Sequence, residues 1–334
     1  MMEDLSKTMQ KTRLNTDSVK PLVSIIIPLL NEEKVFPELL TRIGSMHLKM
    51  ASSYDVEVLL IDDGSTDETW NMIKAAAGRH TYIRGFSFAR NFGHQIALTC
   101  GHEYAKGDAI LTMDADLQDP PEIMERMLLE WRGGADIVLA KRKVRQGESS
   151  FKRITAHAFY RLLSFLSPVK LPMDVGDFRL LSSRANKILK DMPERSRYLR
   201  GLVGWIGLPT KIIEYERQQR VAGETKFSLS KMIKFSLDGI VSMSSRPLKL
   251  AYMFALLGSF PFLLFLLGSF IAWEWYNVSM VPGWASLLLA IVTFGSLIMI
   301  MLGVIGEYVA RIYDDTKQRP HFVLRETTED ARLL

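Results

Sequence analysis

Two stretches near the C-terminal end limit what this chain can become. Leu250 to Trp273, LAYMFALLGSFPFLLFLLGSFIAW, has no charged residue, and neither has Val278 to Gly306, VSMVPGWASLLLAIVTFGSLIMIMLGVIG. A helix crosses a bilayer core with about 20 apolar residues, and each block exceeds that. Buried helices of a water-soluble domain are seldom this long and this free of charge. Both blocks are therefore expected to span a membrane as helices, with Pro261 kinking the first, which membrane helices tolerate. The connector WEWYNVSMVPGW has no Lys or Arg. Arg246 and Lys249 precede the first block, and Arg311, Lys317 and Arg319 follow the second. The positive-inside bias then puts both outer flanks in the cytoplasm and the connector outside. Trp273, Trp275, Tyr276 and Trp284 cluster there as an aromatic belt would.

The segment before the first block, KFSLSKMIKFSLDGIVSMSSRP, repeats Leu229, Met232, Ile233, Leu237, Ile240 and Val241 at helical spacing, with Lys231, Lys234 and Asp238 opposite. Next to a spanning segment, this pattern reads as an amphipathic helix lying in the interface. The first residues, up to about Lys20, are polar, have no apolar core, and are expected to be a disordered lead-in rather than a signal peptide. The large domain after them is therefore expected in the cytoplasm. The single cysteine, Cys100, allows no intrachain disulfide. A net charge of +5 without a long Lys/Arg run, and without a helix-turn-helix or RNA-binding signature, argues against nucleic acid as a partner.

Between lead-in and membrane segments, apolar runs alternate with helical patterns. LVSIIIP (Leu22 to Pro28), DVEVLLI (Asp55 to Ile61), AILTM (Ala109 to Met113) and DIVLA (Asp136 to Ala140) are separated by EEKVFPELLTRIGSM, TDETWNMIKAAAG and GHQIALTCGHEYAKG. Fully apolar strands alternating with helices imply an α/β domain with a mostly parallel sheet covered on both faces. Ligands of such sheets bind at the carboxyl ends of the strands.

Acidic residues stand at two of those ends. The second run closes on Asp62 and Asp63, and the third on Asp114 and Asp116. An Asp after a strand can be a turn former or a cap. Two acidic clusters on one sheet edge, however, repel unless a cation shares them. Oxygen-only ligands suit Mg²⁺ or Mn²⁺ rather than zinc, and such an ion commonly completes its shell with phosphate oxygens. There is no GxxxxGK[ST], which excludes a P-loop nucleotidase, and no GxGxxG after the first strand, which argues against a dinucleotide oxidoreductase. A metal-bound nucleoside diphosphate remains, and a sugar nucleotide fits. Asp119, followed by Pro120 and Pro121, reads as the turn that starts the next helix.

PLLNEE, DDGSTD and DADLQDPPE together resemble family-2 glycosyltransferases of the GT-A fold. VGDFRLLS, RYLRGLVGW, RVAGETKF, the paired spans and GEYVARIYDDTKQRP resemble the polyprenyl-phosphate branch, most nearly the bacterial bactoprenol glucosyltransferases. The resemblance covers nearly all of the chain after Lys20. It implies that Asn31, Glu32, Asp62 and Asp63 face the nucleotide, with Gln118 close by. It places Asp114 and Asp116 at the metal and diphosphate, and Asp177 where the family has a candidate base near the acceptor. Arg200, Arg220 and Lys226 fall in basic stretches near the phosphates, although alone each would read as a solvated surface charge. The resemblance further implies a tetramer.

The expected organisation is a lead-in (1–20), a GT-A domain (21–226), an amphipathic helix (227–247), a two-helix membrane hairpin (248–308) and a cytoplasmic tail (309–334). The expected location is the bacterial inner membrane, with the catalytic domain and both termini cytoplasmic. The expected reaction is inverting, metal-dependent transfer of a hexose, glucose from UDP-glucose, to undecaprenyl phosphate. Other readings keep the chemistry with another donor (GDP-mannose, UDP-GlcNAc or UDP-aminoarabinose), or make the chain a non-catalytic scaffold. A processive synthase would carry QxxRW and more spans, and neither is found here.

Overall fold

The apolar runs pair side by side because each residue along them feeds a core on one face or the other. In a computed structural model, residues 20–142 and 175–216 (Pro121 and Ser196 excepted) and 283–329 are described, with isolated positions between 246 and 275. The order is β1 (Leu22–Leu29), α1 (Phe36–Met50), β2 (Asp55–Asp62), α2 (Thr69–Arg79), β3 (Ile83–Phe88), α3 (His94–Tyr104), β4 (Ala109–Thr112) and α4 (Ile123–Arg132). Then come β5 (Ile137–Arg142), β6 (Val175–Ser182), α5 (Ser183–Asp191), α6 (Leu199–Ile206), β7 (Thr210–Tyr215), α7 (Trp284–Thr316) and β8 (Leu324–Thr327). The lead-in, Arg220, Lys226, the amphipathic segment and most of the first apolar block lie outside the described residues.

One eight-stranded sheet runs β7-β5-β6-β4-β1-β2-β3-β8. β1, β2, β3 and β4 are mutually parallel, as are β5 and β7, while β6 runs antiparallel between β4 and β5. Side chains alternate across a strand. Ile25 and Ile27 therefore enter one core with Val58 and Leu60, covered by α1, α2 and α4. Ile26 enters the other with Leu59 and Ile61, covered by α3, α5 and α6. A strand buried on both faces has no place for a polar alternation, so these runs are continuously apolar. Each fully buried Ile contributes about 1.5–3 kcal/mol.

Gly101 sets how closely α3 lies on the sheet. A Cβ there would stand 2.1 Å from Ile26 Cγ2. The N-terminus of α3 is thereby held against the carboxyl edge of the parallel strands.

From Trp284 the second apolar block forms one helix that runs ten residues past Gly306. α7 has 33 residues, which makes it about 50 Å long. Within it Ala290–Thr316 is long and apolar enough to cross a membrane, the only such helix among the described residues, and none of that window is buried. Its last turns are polar, with Glu307 paired to Arg311 and Asp314 to Lys317. Beyond it, β8 returns to the sheet and pairs antiparallel with β3. The sequence pattern gave no sign of this strand, which lies in the segment expected as a tail.

Candidate active site

Of the residues expected in a site, Asn31, Glu32, Asp62, Asp63, Asp114, Asp116 and Gln118 lie at the carboxyl edge of β1, β2 and β4. After β1, Asn31 takes a left-handed conformation (φ 54°), which Asn tolerates better than most residues. Its Oδ1 accepts from the Thr66 backbone N–H at 2.9 Å, and its own N–H donates to Ser65 Oγ at 2.9 Å. The Glu32 N–H donates to Thr69 Oγ1. The PLLNEE and DDGST loops are thus stitched to each other. Gly64, at φ 73°, closes the second loop, and a Cβ there would lie 2.4 Å from the backbone of Arg90.

The two aspartates after β2 are occupied by the protein itself. Asp62 is fully buried and accepts from the Ser65 N–H and from Ser87 Oγ. Asp63 is also buried and accepts from the Phe92 and Gly93 N–H groups. Burial pushes the Asp63 carboxyl up, against those two bonds. Asp62 thereby fixes the turn after β2, and Asp63 ties that turn to the start of α3.

The DADLQD loop after β4 is different. Most of it is buried, and Asp114 and Asp116 are its partly exposed members. Leu117 is held at φ 56°, uncommon for a residue with a branched side chain, and is fully buried. Such strain costs about 1–3 kcal/mol and persists where the surroundings impose it. It turns the Asp116 carboxylate back over the loop, where Oδ1 accepts from the Gln118 N–H at 3.1 Å. Asp119 is fully buried and accepts from Tyr215 Oη, with Arg142 3.6 Å away.

Asp114 Oδ1 is buried and has no hydrogen-bond partner among the described residues. Among the described residues, His94 Nε2 stands 3.6 Å from it. Burial pushes the carboxyl up to about 6; His94 opposes this, and the charges of Asp177, Asp119 and Asp116 add to it. Leaving a carboxylate oxygen buried without a donor is costly. An oxygen-seeking divalent ion would remove that cost. No group of three His, Cys, Asp or Glu among the described residues is placed to hold a metal by itself. The donor set therefore fits an ion taking one or two protein ligands and filling its shell from a bound diphosphate.

Opposite Asp114 stands a charged cluster centred on Asp177. The β4–β6 register, Thr112 beside Arg179, brings Asp177 level with Asp114, and Thr112 Oγ1 donates to the Asp177 carbonyl. Asp177 Oδ1 accepts from Arg179 at 2.7 Å and from Arg200 Nε at 3.2 Å. Its Oδ2 accepts from Arg200 at 2.9 Å and Gln95 Nε2 at 3.3 Å, with His94 Nε2 at 3.4 Å. Burial alone would raise this carboxyl, but His94, Arg200 and Arg179 outweigh it and hold it well below the usual range. Burial alone would likewise lower the His94 imidazole; Asp177 and Asp114 win, and its pKa is raised. A carboxylate held this firmly is a poor proton acceptor. It can fix the Arg200 guanidinium, whose side chain stays 35% exposed and able to meet an anion.

The structure therefore brings Asp114, Asp177 and Arg200 together, with Asn31, Glu32 and Asp63 on the neighbouring strand ends. It adds His94, Gln95 and Arg179, which the sequence reading did not single out. Gly93 followed by a His at a helix start was the available signal.

The model described as glycosyl transferase family 2 matches residues 24–189. An uncharacterized glycosyltransferase of Bacillus subtilis, YkcC, is 40% identical over 313 residues, covering 93% of this chain and 96% of its own length. The chain belongs to glycosyl transferase family 2. Within it, a prophage bactoprenol glucosyl transferase homolog of Escherichia coli is 38% identical over 308 residues, covering 91% of this chain and 98% of the relative. The SfII prophage-derived bactoprenol glucosyl transferase of Shigella flexneri is 37% identical over 310 residues, with the same two coverages. The eight-stranded, mostly parallel sheet is the GT-A α/β architecture, and the protein is a glycosyltransferase.

Proposed function

We propose that this glycosyltransferase moves a hexose, glucose from UDP-glucose, onto undecaprenyl phosphate with inversion at the anomeric carbon. The observation that carries the reading is the pairing, across β4 and β6, of an undersatisfied carboxylate at Asp114 with the cationic Asp177–Arg200 cluster. One side suits a cation-bound diphosphate, the other an anionic acceptor. The similarity to bactoprenol glucosyl transferases over nine-tenths of the chain supports a polyprenyl phosphate as that acceptor.

Asp114 and Asp116 would hold Mg²⁺ or Mn²⁺, which would neutralise charge on the departing diphosphate. The stitched loops after β1 and β2 bind the nucleotide. Arg200, locked by Asp177, presents its charge to the acceptor phosphate. A phosphate monoester has its second pKa near about 6, so it is mostly dianionic at neutral pH and needs no base. One of its oxygens attacks C1 as the bond from C1 to the diphosphate oxygen breaks. Asp177 holds Arg200 in place and abstracts no proton.

The membrane part follows from the acceptor. α7, with the first apolar block as its partner, spans the inner membrane and holds the catalytic domain at the cytoplasmic headgroup layer. Arg220, Lys226, Lys231 and Lys234 suit an anionic lipid head there.

Purified protein in detergent, given undecaprenyl phosphate and a panel of labelled nucleotide sugars, tests the reading. Label from UDP-glucose is expected in the lipid phase. Label from a different donor would correct the sugar. Label from none, with folded protein, would overturn the reading.

A further inference from the structure

The strand that follows the membrane helix reaches the donor loops. Arg325, on β8, donates to Ser87 Oγ at 2.9 Å and stands 3.8 Å from Asp62 Oδ2. Ser87 Oγ in turn donates to Asp62 at 2.7 Å. Asp62 is fully buried, and Arg325 is the only cationic group within 4 Å of it among the described residues. A buried carboxylate without a counter-charge is strongly unfavourable. Asp62 is also the post from which both donor loops hang. Its Oδ1 fixes the Ser65 N–H at 3.0 Å, and Ser65 Oγ accepts from Asn31 at 2.9 Å.

Docking of β8 does not depend on this contact. Trp70 Nε1 donates to Glu326 at 2.8 Å, the Gly85 N–H to Thr328 Oγ1 at 2.8 Å, and Arg84 Nε to Glu329 at 2.6 Å. Phe322 stacks on Phe88 at 5.2 Å. With those in place, the Arg325 guanidinium is spare for holding the strand and is directed at Asp62.

We propose that Arg325 is a positioning residue of the donor site: through Ser87 and Asp62 it sets the DDGST and PLLNEE loops for the nucleotide sugar. The segment downstream of the membrane helix is then part of the donor-binding machinery. This rests on the reading of those loops as the nucleotide site.

The test uses the full-length protein in detergent, UDP with Mn²⁺ as the calorimetric probe, and initial rates. Arg325→Ala is expected to weaken UDP binding by about fivefold, the scale of one half-exposed ion pair. The donor KM should rise to match, while acceptor KM and kcat stay within about twofold. Arg325→Lys is expected to recover most of the loss. Trp70→Phe, which removes a β8 tether without touching Asp62, should bind UDP as the wild type does. Unchanged UDP binding in Arg325→Ala would overturn the proposal. So would a parallel loss in donor KM, acceptor KM and kcat, or an equal loss in Trp70→Phe. Wild-type protein that binds neither UDP nor GDP would remove the donor site itself, and this inference with it. Wild-type binding with indifferent variants would sink only the role of Arg325.

Discussion

Asp177 is met by two guanidiniums, an amide and an imidazole, so its ionised form is worth more to the folded state than to the unfolded chain. Its folded pKa lies well below 3.8. The stabilisation is therefore fully present above that unfolded value and is lost as pH falls through the folded one. Asp177→Asn would leave Arg179, 1% exposed, without its charge partner and is expected to cost about 3 kcal/mol. Thermal unfolding should show a gap between wild type and variant that narrows as pH falls below about 4 and also as pH rises through the raised pKa of His94. Asp114 has the opposite sign. Its folded pKa is raised to about 6, so without a cation it destabilises the fold at neutral pH and is relieved on acidification to 3.8. A divalent ion must compete with that proton. Mn²⁺ should thus raise the melting temperature more at pH 7.5 than at pH 5.5, and Asp114→Asn should abolish the difference. The acidic residues were legible because carboxylates after apolar strands have few reasons to be there. Arg179 was not, since VGDFRLLS does not reveal that a strand of alternating polar residues will lie in mid-sheet. His94 was not, since a lone His at a helix start more often faces solvent.

Among the elements, α3 carries His94 and Gln95 to the site only because Gly101 lets it approach β1. Gly101→Ala would force a methyl into Ile26 and is expected to destabilise the protein by about 2 kcal/mol, read as a lowered melting temperature. The four apolar runs marked β1, β2, β4 and β5 to within a residue or two, because a strand covered on both faces needs an unbroken apolar sequence. β3, β7 and β8 follow another logic. β3 contains Arg84, Gly85 and Ser87, and it tolerates Arg84 because Glu57 and Glu329 lie 2.6 Å away on either side. One of those partners arrives from 245 residues along the chain, a pairing no local pattern can announce. β7 and β8 lie at the two edges of the sheet, where one unpaired side relaxes the demand for apolar residues.

For the whole molecule, the arrangement couples a sheet edge to a long apolar helix through a short polar return. The uncharged run made most of this helix legible in the sequence. The extension to Thr316 depends on Glu307–Arg311 and Asp314–Lys317 pairs, which resemble any solvated helix surface. The proposed topology, with both flanks cytoplasmic, predicts that a cysteine at Asn277 in a Cys100→Ser background reacts with an impermeant maleimide in whole cells. One at Lys317 should react only after permeabilisation; the reverse pattern would invert the topology. The proposed role of the Asp114–Asp116 edge is in transfer to a lipid phosphate. It is tested most directly by following label from UDP-glucose into undecaprenyl phosphate, with wild type and Asp116→Ala compared in Mn²⁺ and in chelator. Lipid-borne label is expected only for wild type with the ion, with a loss of about 100-fold or more in the variant. Equal transfer by folded Asp116→Ala, or transfer undiminished by chelation, would contradict it.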